Sequence, residues 1–189
     1  MKKKTLIVLS FLVIFIINLF SEIPSLSIIF NDDDNSYSAT FYFTSSLDKE
    51  LLLKIYYDIN HFKHIYRQFN TIKILQESDN WYRVSFINKT GFYVLNTVYK
   101  KIFYKEENKI TFVMEKYDQN RDILPELISS TGYYAVEKAD AKNKVIYHQD
   151  TKLLRSCNPV QKILIRKNLE KFAVTMADYI SQVKSQQKK

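Results

Sequence analysis

The sequence predicts an α+β fold in which a curved antiparallel sheet wraps around one long C-terminal helix. Two short helical patterns, over residues 47–58 and 60–66, precede a series of aromatic-rich strand patterns between residues 71 and 154. These strands follow one another with short connections, which favours an antiparallel meander. The chain then ends in a single amphipathic pattern of about 25 residues, or roughly 37 Å of helix, long enough to cross a whole sheet.

The N-terminal segment, residues 1–21, is typical of a secretory signal peptide. Three lysines, at positions 2–4, precede an almost unbroken apolar run from Leu6 to Phe20. That run has 15 residues, fewer than the roughly 20 that span a bilayer comfortably. An uncleaved N-terminal anchor stays open as the alternative. We therefore expect an exported protein, either secreted or held in the periplasm or cell envelope.

The rest of the chain predicts one domain. Residues 22–36 contain an acidic run and predict a solvated linker or arm. Residues 37–185 are long enough to build a core without disulfide bonds, and residues 186–189 form a tail. Cys157 is the single cysteine of the chain, so no intramolecular disulfide can form.

Charge and composition narrow the partners. The net charge of +8 falls to +5 once the three N-terminal lysines are set aside. Such mild basicity is compatible with membrane-surface association, but it lacks the concentrated basic stripe of a nucleic-acid-binding protein. Aromatic residues make up 15% of the chain, and aromatic side chains suit both a core and the lining of an apolar cavity. The sequence leaves the oligomeric state open.

Individual elements have clear signals. Ser46 is a candidate N-cap for the first helix, because acidic residues follow it in the first turn. Asn158 and Pro159 predict the start of the last helix, since asparagine caps helices and proline fits their first position.

The order of these motifs resembles the START-like (SRPBCC) superfamily, especially its polyketide cyclase and coenzyme-Q-binding branch. The resemblance extends from residue 38 to residue 182. It implies a helix-grip (START/Bet v 1-like) fold with an apolar cavity between sheet and helix, and lipid, quinone or polyketide-like ligands without a cofactor. The motifs that carry it are Ser45-Ser46 before the first helix, Asp58-Ile59 with Phe62 and Ile65, Thr71–Glu77, Gly132–Glu137, and Val145 with Tyr147.

Seven side chains are the candidate ligand contacts. Five are apolar or aromatic positions on predicted strands and two lie on the last helix: Phe86, Phe112, Met114, Tyr134, Tyr147, Phe172 and Met176. The same pattern also fits a solid core. Arg83, Lys100 and Lys101 are candidates for a polar head-group contact, although lysines on strands are more often solvated at sheet edges.

No catalytic or metal-binding motif emerges. His61 and His64 are spaced for one metal ion, but the ligand set is incomplete. His148 could act as a general base only if a substrate reached it. Cys157 could act as a nucleophile only beside a positioned base, although a helix N-terminus next to it can lower the pKa of its thiol. The prediction is thus a binder or carrier of a hydrophobic small molecule. Two alternatives stay open: a cyclase or hydratase-type enzyme, and a structural or interaction module with a filled core.

Overall fold

The computed structural model describes residues 24–121 and 125–187. The expected signal peptide or anchor therefore lies outside the described residues. The elements, in chain order, are β1 (Ser25–Asn31), β2 (Ser36–Ser45), α1 (Lys49–Tyr57), α2 (Ile59–Ile65), β3 (Thr71–Glu77), β4 (Trp81–Thr90), β5 (Tyr93–Tyr104), β6 (Lys109–Gln119), β7 (Leu127–Ala139), β8 (Lys142–Leu153) and α3 (Pro159–Gln186).

All eight strands belong to one antiparallel sheet with the order β1-β2-β8-β7-β6-β5-β4-β3. Strands β3 to β8 pair in chain order, so the predicted meander is confirmed. Strand β2 pairs with β8, and β1 pairs with β2 as the edge strand. The pairing shifts register between β3 and β4, between β5 and β6, and between β7 and β8. Such bulges bend and twist a sheet, which helps it to curve around the last helix.

The long helix α3 begins where the sequence predicts. The Asn158 side chain accepts a hydrogen bond from the Gln161 backbone, and the Gln161 side chain accepts one in return, which forms a capping box. Pro159 occupies the first turn. The helix has 28 residues, about 42 Å at 1.5 Å per residue, so it spans the concave side of the sheet.

The first helix starts two residues later than predicted. Asp48, not Ser46, is its N-cap, and the Asp48 carboxylate accepts a hydrogen bond from the Glu50 backbone at 2.7 Å. The preceding turn is closed instead by Ser45, whose hydroxyl accepts from the Leu47 backbone at 3.2 Å. Asp58 then caps α2, so the two short helices follow each other with one residue between them.

The linker prediction for residues 22–36 is wrong in its central part. Ser25–Asn31 forms strand β1, which pairs with β2 residue by residue from Ser25↔Tyr42 to Asn31↔Ser36. The acidic run that follows is the turn between these strands, and Asn35 adopts a positive φ of 50° there. Asparagine tolerates this left-handed conformation better than most residues, which suits it to a tight turn.

The main core lies between the concave sheet face and α3. Phe172 of α3 packs edge-on against Phe41 and Tyr147, with ring centroids 5.7 and 5.3 Å away. Helices α1 and α2 cover the other part of the sheet through Leu52, Ile55 and further buried side chains. In the part of the chain that the structure describes, no helix has the length and apolar character needed to cross a bilayer.

Candidate ligand-binding cavity

A cavity of about 250 Å³ lies between the concave sheet face and α3. Strand β5 contributes a row of side chains to its wall, and Ile165, Leu169 and Phe172 of α3 form the opposite side. Two lining residues, Gln68 after α2 and Asn168 on α3, are exposed to solvent. The cavity therefore opens to the surface between the end of α2 and the long helix.

The wall is predominantly aromatic. Fifteen of its twenty described residues are aromatic or aliphatic. A wall of this kind favours an apolar molecule, with few polar groups to orient it. The aromatic members are Tyr37, Tyr66, Phe69, Phe86, Tyr93, Tyr99, Phe112, Tyr117, Tyr134, Tyr147 and Phe172.

The structure brings together five of the seven candidate ligand contacts in this wall, namely Phe86, Phe112, Tyr134, Tyr147 and Phe172. Their contact with a ligand stays a prediction. The other two lie outside the cavity lining. Met114 is half-buried on β6, beside the bulge that shifts the pairing with β5, and Met176 is fully buried in the core.

Gly132 makes room for one of these aromatic rings. It pairs with Phe112 across β6 and β7, and a Cβ atom at this glycine would lie only 2.4 Å from the Phe112 Cζ atom and 2.1 Å from the His148 carbonyl oxygen. The missing side chain lets the Phe112 ring lie across the strand. There it contacts Tyr134 and Tyr147, with ring centroids 5.6 and 5.8 Å apart.

Hydrogen bonds fix several tyrosine hydroxyls of the wall. Tyr66 and Tyr134 are bonded to each other, and Tyr147 donates to the Gln149 side chain. Gln149 in turn donates to Ser130 at 3.0 Å and to Thr151 at 2.9 Å. Burial raises the pKa of Tyr134 and of Tyr147 well above the usual tyrosine value, so both hydroxyls stay protonated. These hydrogen bonds fix the hydroxyl ends of the tyrosine rings, in addition to the packing of the rings themselves.

Lys101 is the exceptional member of the wall. It is 2% exposed, and its Nζ is a buried atom without a hydrogen-bond partner in the described chain. Aromatic rings surround it: Nζ lies 3.6 Å from the ring centroid of Phe62, 4.9 Å from that of Tyr134 and 5.7 Å from that of Tyr66. Burial lowers the pKa of the Lys101 amine well below its usual value.

This position puts Lys101, a candidate for a polar head-group contact, in the cavity wall and not at a solvated sheet edge. One signal in the sequence pointed to it. Adjacent residues of a strand face opposite sides of the sheet, so one of the neighbouring Lys100 and Lys101 must face inward. Lys100 lies on the other face, over the Trp81 ring at 4.8 Å, and Arg83 pairs with Glu115 at 2.9 Å. Neither Lys100 nor Arg83 lines the cavity.

The histidines lie elsewhere. The Nδ1 atom of His61 is 2.6 Å from the Tyr179 hydroxyl, and His64 stacks on the same ring at 5.0 Å, so both pack against α3. His148 lies 2.8 Å from Thr40 and 3.0 Å from Asp150, outside the cavity lining. The described residues include no group of three or more His, Cys, Asp or Glu side chains arranged to hold a metal ion.

The Cys157 thiol has no sign of activation. It is buried beside Tyr37, Leu153 and Ile165, and this burial raises the pKa of the thiol rather than lowering it. Desolvation therefore opposes the effect of the nearby helix N-terminus, which the sequence suggested.

Comparison with known proteins identifies the fold. No protein-family profile and no curated protein matches this chain. Solved structures do match. A STAR-related lipid transfer protein fragment from Xanthomonas axonopodis superimposes with a TM-score of 0.63 at 13% identity, covering 87% of this chain and 96% of that one. The Zhui aromatase/cyclase from Streptomyces sp. R1128 gives a TM-score of 0.59 at 10% identity, covering 84% and 96% of the two chains.

A START superfamily protein from Mycobacterium smegmatis gives a TM-score of 0.60 at 12% identity, covering 77% of this chain and 98% of its own. Structural similarity at identities this low shows the fold but not the function. The function has to be inferred from the cavity. The resemblance seen in the sequence is thus confirmed at the level of the fold: this chain has the helix-grip fold of the START-like (SRPBCC) superfamily.

Proposed function

We propose that this protein binds and carries a hydrophobic small molecule in the cavity beneath α3. The observation that carries this proposal is a cavity of about 250 Å³ inside a predominantly aromatic wall. Burial of apolar ligand surface there would contribute roughly 25 cal/mol per Å² to binding. The volume lies just below the ~300–1,000 Å³ of drug-sized sites. At the ~30 Å³ that a water molecule takes in the liquid, it holds on the order of eight non-hydrogen groups.

Two further observations support a carrier. The structural neighbours include proteins named for lipid transfer and for aromatase/cyclase activity, and both names imply apolar ligands. The N-terminal lysines and apolar run support export, so that the carrier would work in the cell envelope or outside the cell.

A cyclase or hydratase-type enzyme is the second candidate, and Lys101 is the observation that favours it. This lysine is the only strongly basic side chain among the described lining residues, which include no histidine and no carboxylate. A buried amine with a lowered pKa can act as a general base. An enzyme would convert its cavity ligand, whereas a carrier releases it unchanged. Comparison of the ligand recovered from the protein with the ligand that was supplied therefore distinguishes the two functions.

Native mass spectrometry of the protein purified from its own host, followed by organic extraction, tests the carrier proposal. We expect one small apolar molecule per chain. Leu169→Trp places a large side chain in the cavity and should release this molecule. Val174→Trp is the matched control, because Val174 lies on the same helix and is 45% exposed.

A ligand-free mass for the wild-type protein, with no uptake from a total lipid extract, would refute the carrier proposal and favour the interaction module. Equal ligand retention by the Leu169→Trp and Val174→Trp proteins would also refute it, because the ligand would then lie outside the cavity.

A further inference from the structure

We propose that Lys101 anchors the cavity ligand by pairing with a carboxylate at one end of it, so that the ligand is an acid with an apolar body. The inference rests on the proposed function, because it names the ligand class of the same cavity. It is carried by a buried amine without a partner in a wall that has no carboxylate among its described residues.

The backbone fixes Lys101 on the inner face of the sheet. It pairs with Tyr82 of β4 and with Phe112 of β6, and both of these neighbours are buried side chains of the inner face. Lys101 is also the last residue of β5 that lines the cavity. The amine therefore lies at one end of the apolar wall, where a ligand would present its head group.

The charge balance at this end is incomplete. Other lysines of the chain have partners at the surface, such as Lys152 with Asp34 at 3.0 Å and Lys162 with Asp32 at 2.6 Å. Among the described residues, the Lys101 amine has no hydrogen-bond partner and lies near three ring faces, the nearest being that of Phe62. Ring faces attract a cation, but they do not supply the opposite charge that a buried ammonium requires. A ligand carboxylate would supply it.

The titratable groups around Lys101 cannot supply the negative charge that its ammonium requires. The tyrosines nearest Lys101 are Tyr66 at the C-cap of α2, its strand partner Tyr82 of β4, and Tyr134 of β7. Tyr56 of α1 stacks on Tyr134 at 5.1 Å. Burial raises the pKa of all four tyrosines, so none is an anion near neutral pH. As neutral hydroxyls they can donate hydrogen bonds instead. The hydrogen bond between Tyr66 and Tyr134 uses one of their two hydroxyl protons. The other proton can be donated to an acceptor on the ligand.

The geometry favours a carboxylate over a phosphate. One ammonium balances one negative charge, whereas a phosphate monoester carries about 1.5–2 charges at pH 7 and would leave part of its charge buried and unpaired.

Thr97 lies four residues from Lys101 on the same face of β5, about 13 Å away at 3.3 Å per residue. Its hydroxyl is the other buried polar atom of the wall without a partner in the described chain, and Tyr99 lies between the two. An acyl chain of about eight groups, the number the cavity volume allows, extends over this apolar stretch.

An acid ligand also predicts proton uptake. Desolvation lowers the pKa of the Lys101 amine in the empty cavity, and a carboxylate beside it raises that pKa again. Binding must then draw a proton from solution at a pH between the two values. A neutral ligand of the same length would leave the proton balance unchanged.

The test compares octanoate with 1-octanol as probes by isothermal titration calorimetry, on full-length wild-type protein, K101M and K100M at pH 8. Lys100→Met is the matched control, because Lys100 is the next residue of β5 and faces away from the cavity. We expect wild type and K100M to bind octanoate at least tenfold more tightly than octanol and K101M to lose this preference. Buffers of different ionisation enthalpy should reveal proton uptake with octanoate only.

The outcomes separate this inference from the proposed function. Equal binding of octanoate and octanol by wild type, or an octanoate preference that K101M retains, would overturn the role of Lys101 while leaving a hydrophobic carrier intact. Tighter binding of octyl phosphate than of octanoate would overturn the carboxylate. Failure of wild type to bind either octanoate or octanol would count against the proposed function itself. Circular dichroism of K101M confirms that any loss of preference occurs in a folded protein.

Discussion

Replacing Lys101 with methionine should stabilise the ligand-free protein. Among the described residues, the Lys101 Nζ is buried, lacks a hydrogen-bond partner and lies over the rings of Phe62 and Tyr134. A buried polar group without a partner costs about 1–3 kcal/mol, and more when it is charged. Methionine keeps the length of the side chain and removes the amine. We therefore expect the free energy of unfolding of K101M to exceed that of wild type by about 1–3 kcal/mol at pH 7, or the Tm by about 2–12 °C for a chain of this size.

The gain in stability should depend on pH in a defined direction. Burial places the folded-state pKa of Lys101 below its ordinary value of 10.5. Between these two values the unfolded chain holds a proton on this lysine that the folded chain lacks, so the wild-type free energy of unfolding rises with pH in this window. The K101M protein has no such titration. The difference between variant and wild type should therefore be largest near neutral pH and should shrink as the pH approaches 10.5.

Urea denaturation of wild type, K101M and K100M, followed by circular dichroism at pH 7 and pH 10, measures this difference. Tyrosines of the unfolded chain also lose protons near pH 10, but they do so in all three proteins and cancel from the comparison. K100M should match wild type within about 0.5 kcal/mol, as surface substitutions usually do. A K101M protein that is no more stable than wild type at pH 7, or whose gain is the same at both pH values, would refute the reasoning about a buried unpaired amine.

Two further substitutions test the wall and the long helix. Gly132→Ala places a Cβ atom 2.1 Å from the His148 carbonyl oxygen and 2.4 Å from the Phe112 Cζ atom, and overpacking of this kind typically costs about 1–3 kcal/mol; an urea midpoint equal to that of wild type would contradict the close approach. Asn158→Ala removes the capping box with Gln161 and should lower the free energy of unfolding by about 1 kcal/mol; an unchanged value in the same assay would show that the cap adds nothing to stability.

The parts of the fold that depend on local chemistry could be predicted from the sequence. The start of α3 at Asn158 and Pro159 is an example, because a cap and a proline act on the backbone within one turn. The cap of α1 shows the limit of such reasoning. Both Ser46 and Asp48 are good N-caps, and the choice of Asp48 accompanies the hydrogen bond that Ser45 makes in the preceding turn.

Strand β1 was missed for a different reason. Leu26, Ile28 and Phe30 alternate with more exposed residues, which is a strand signal, but the acidic run that follows them suggested a solvated arm. That run is a hairpin turn, with Asn35 in the left-handed region. A short edge strand gains its stability from pairing with β2 rather than from its own residues, so a reading of local pattern gives it too little weight.

The cavity wall could be predicted in its type of residue and only in part by position. Four candidate strand side chains line it because alternation along a strand determines which residues share a face, and Phe172 lines it from α3. Met114 is not among the lining residues; it lies beside the bulge between β5 and β6, a feature that no sequence pattern revealed. Alternation along β5 requires one of the adjacent Lys100 and Lys101 to face inward. Both faces of β5 carry apolar residues, so the sequence did not show which lysine this is.

The cavity itself has an energetic consequence for the function. A void left in a core costs about 24 cal/mol per Å³ in a series of cavity-forming mutants. On that scale a sealed, dry cavity of about 250 Å³ would cost about 6 kcal/mol, an upper bound for a cavity that opens to the surface and one comparable to the whole stability of a typical domain. Packing alone would favour collapse of the wall, yet the hydrogen bond between the Tyr66 and Tyr134 hydroxyls fixes the position of these two rings. A wall that resists collapse at this cost is better explained by a ligand that fills the space than by a core selected for stability alone.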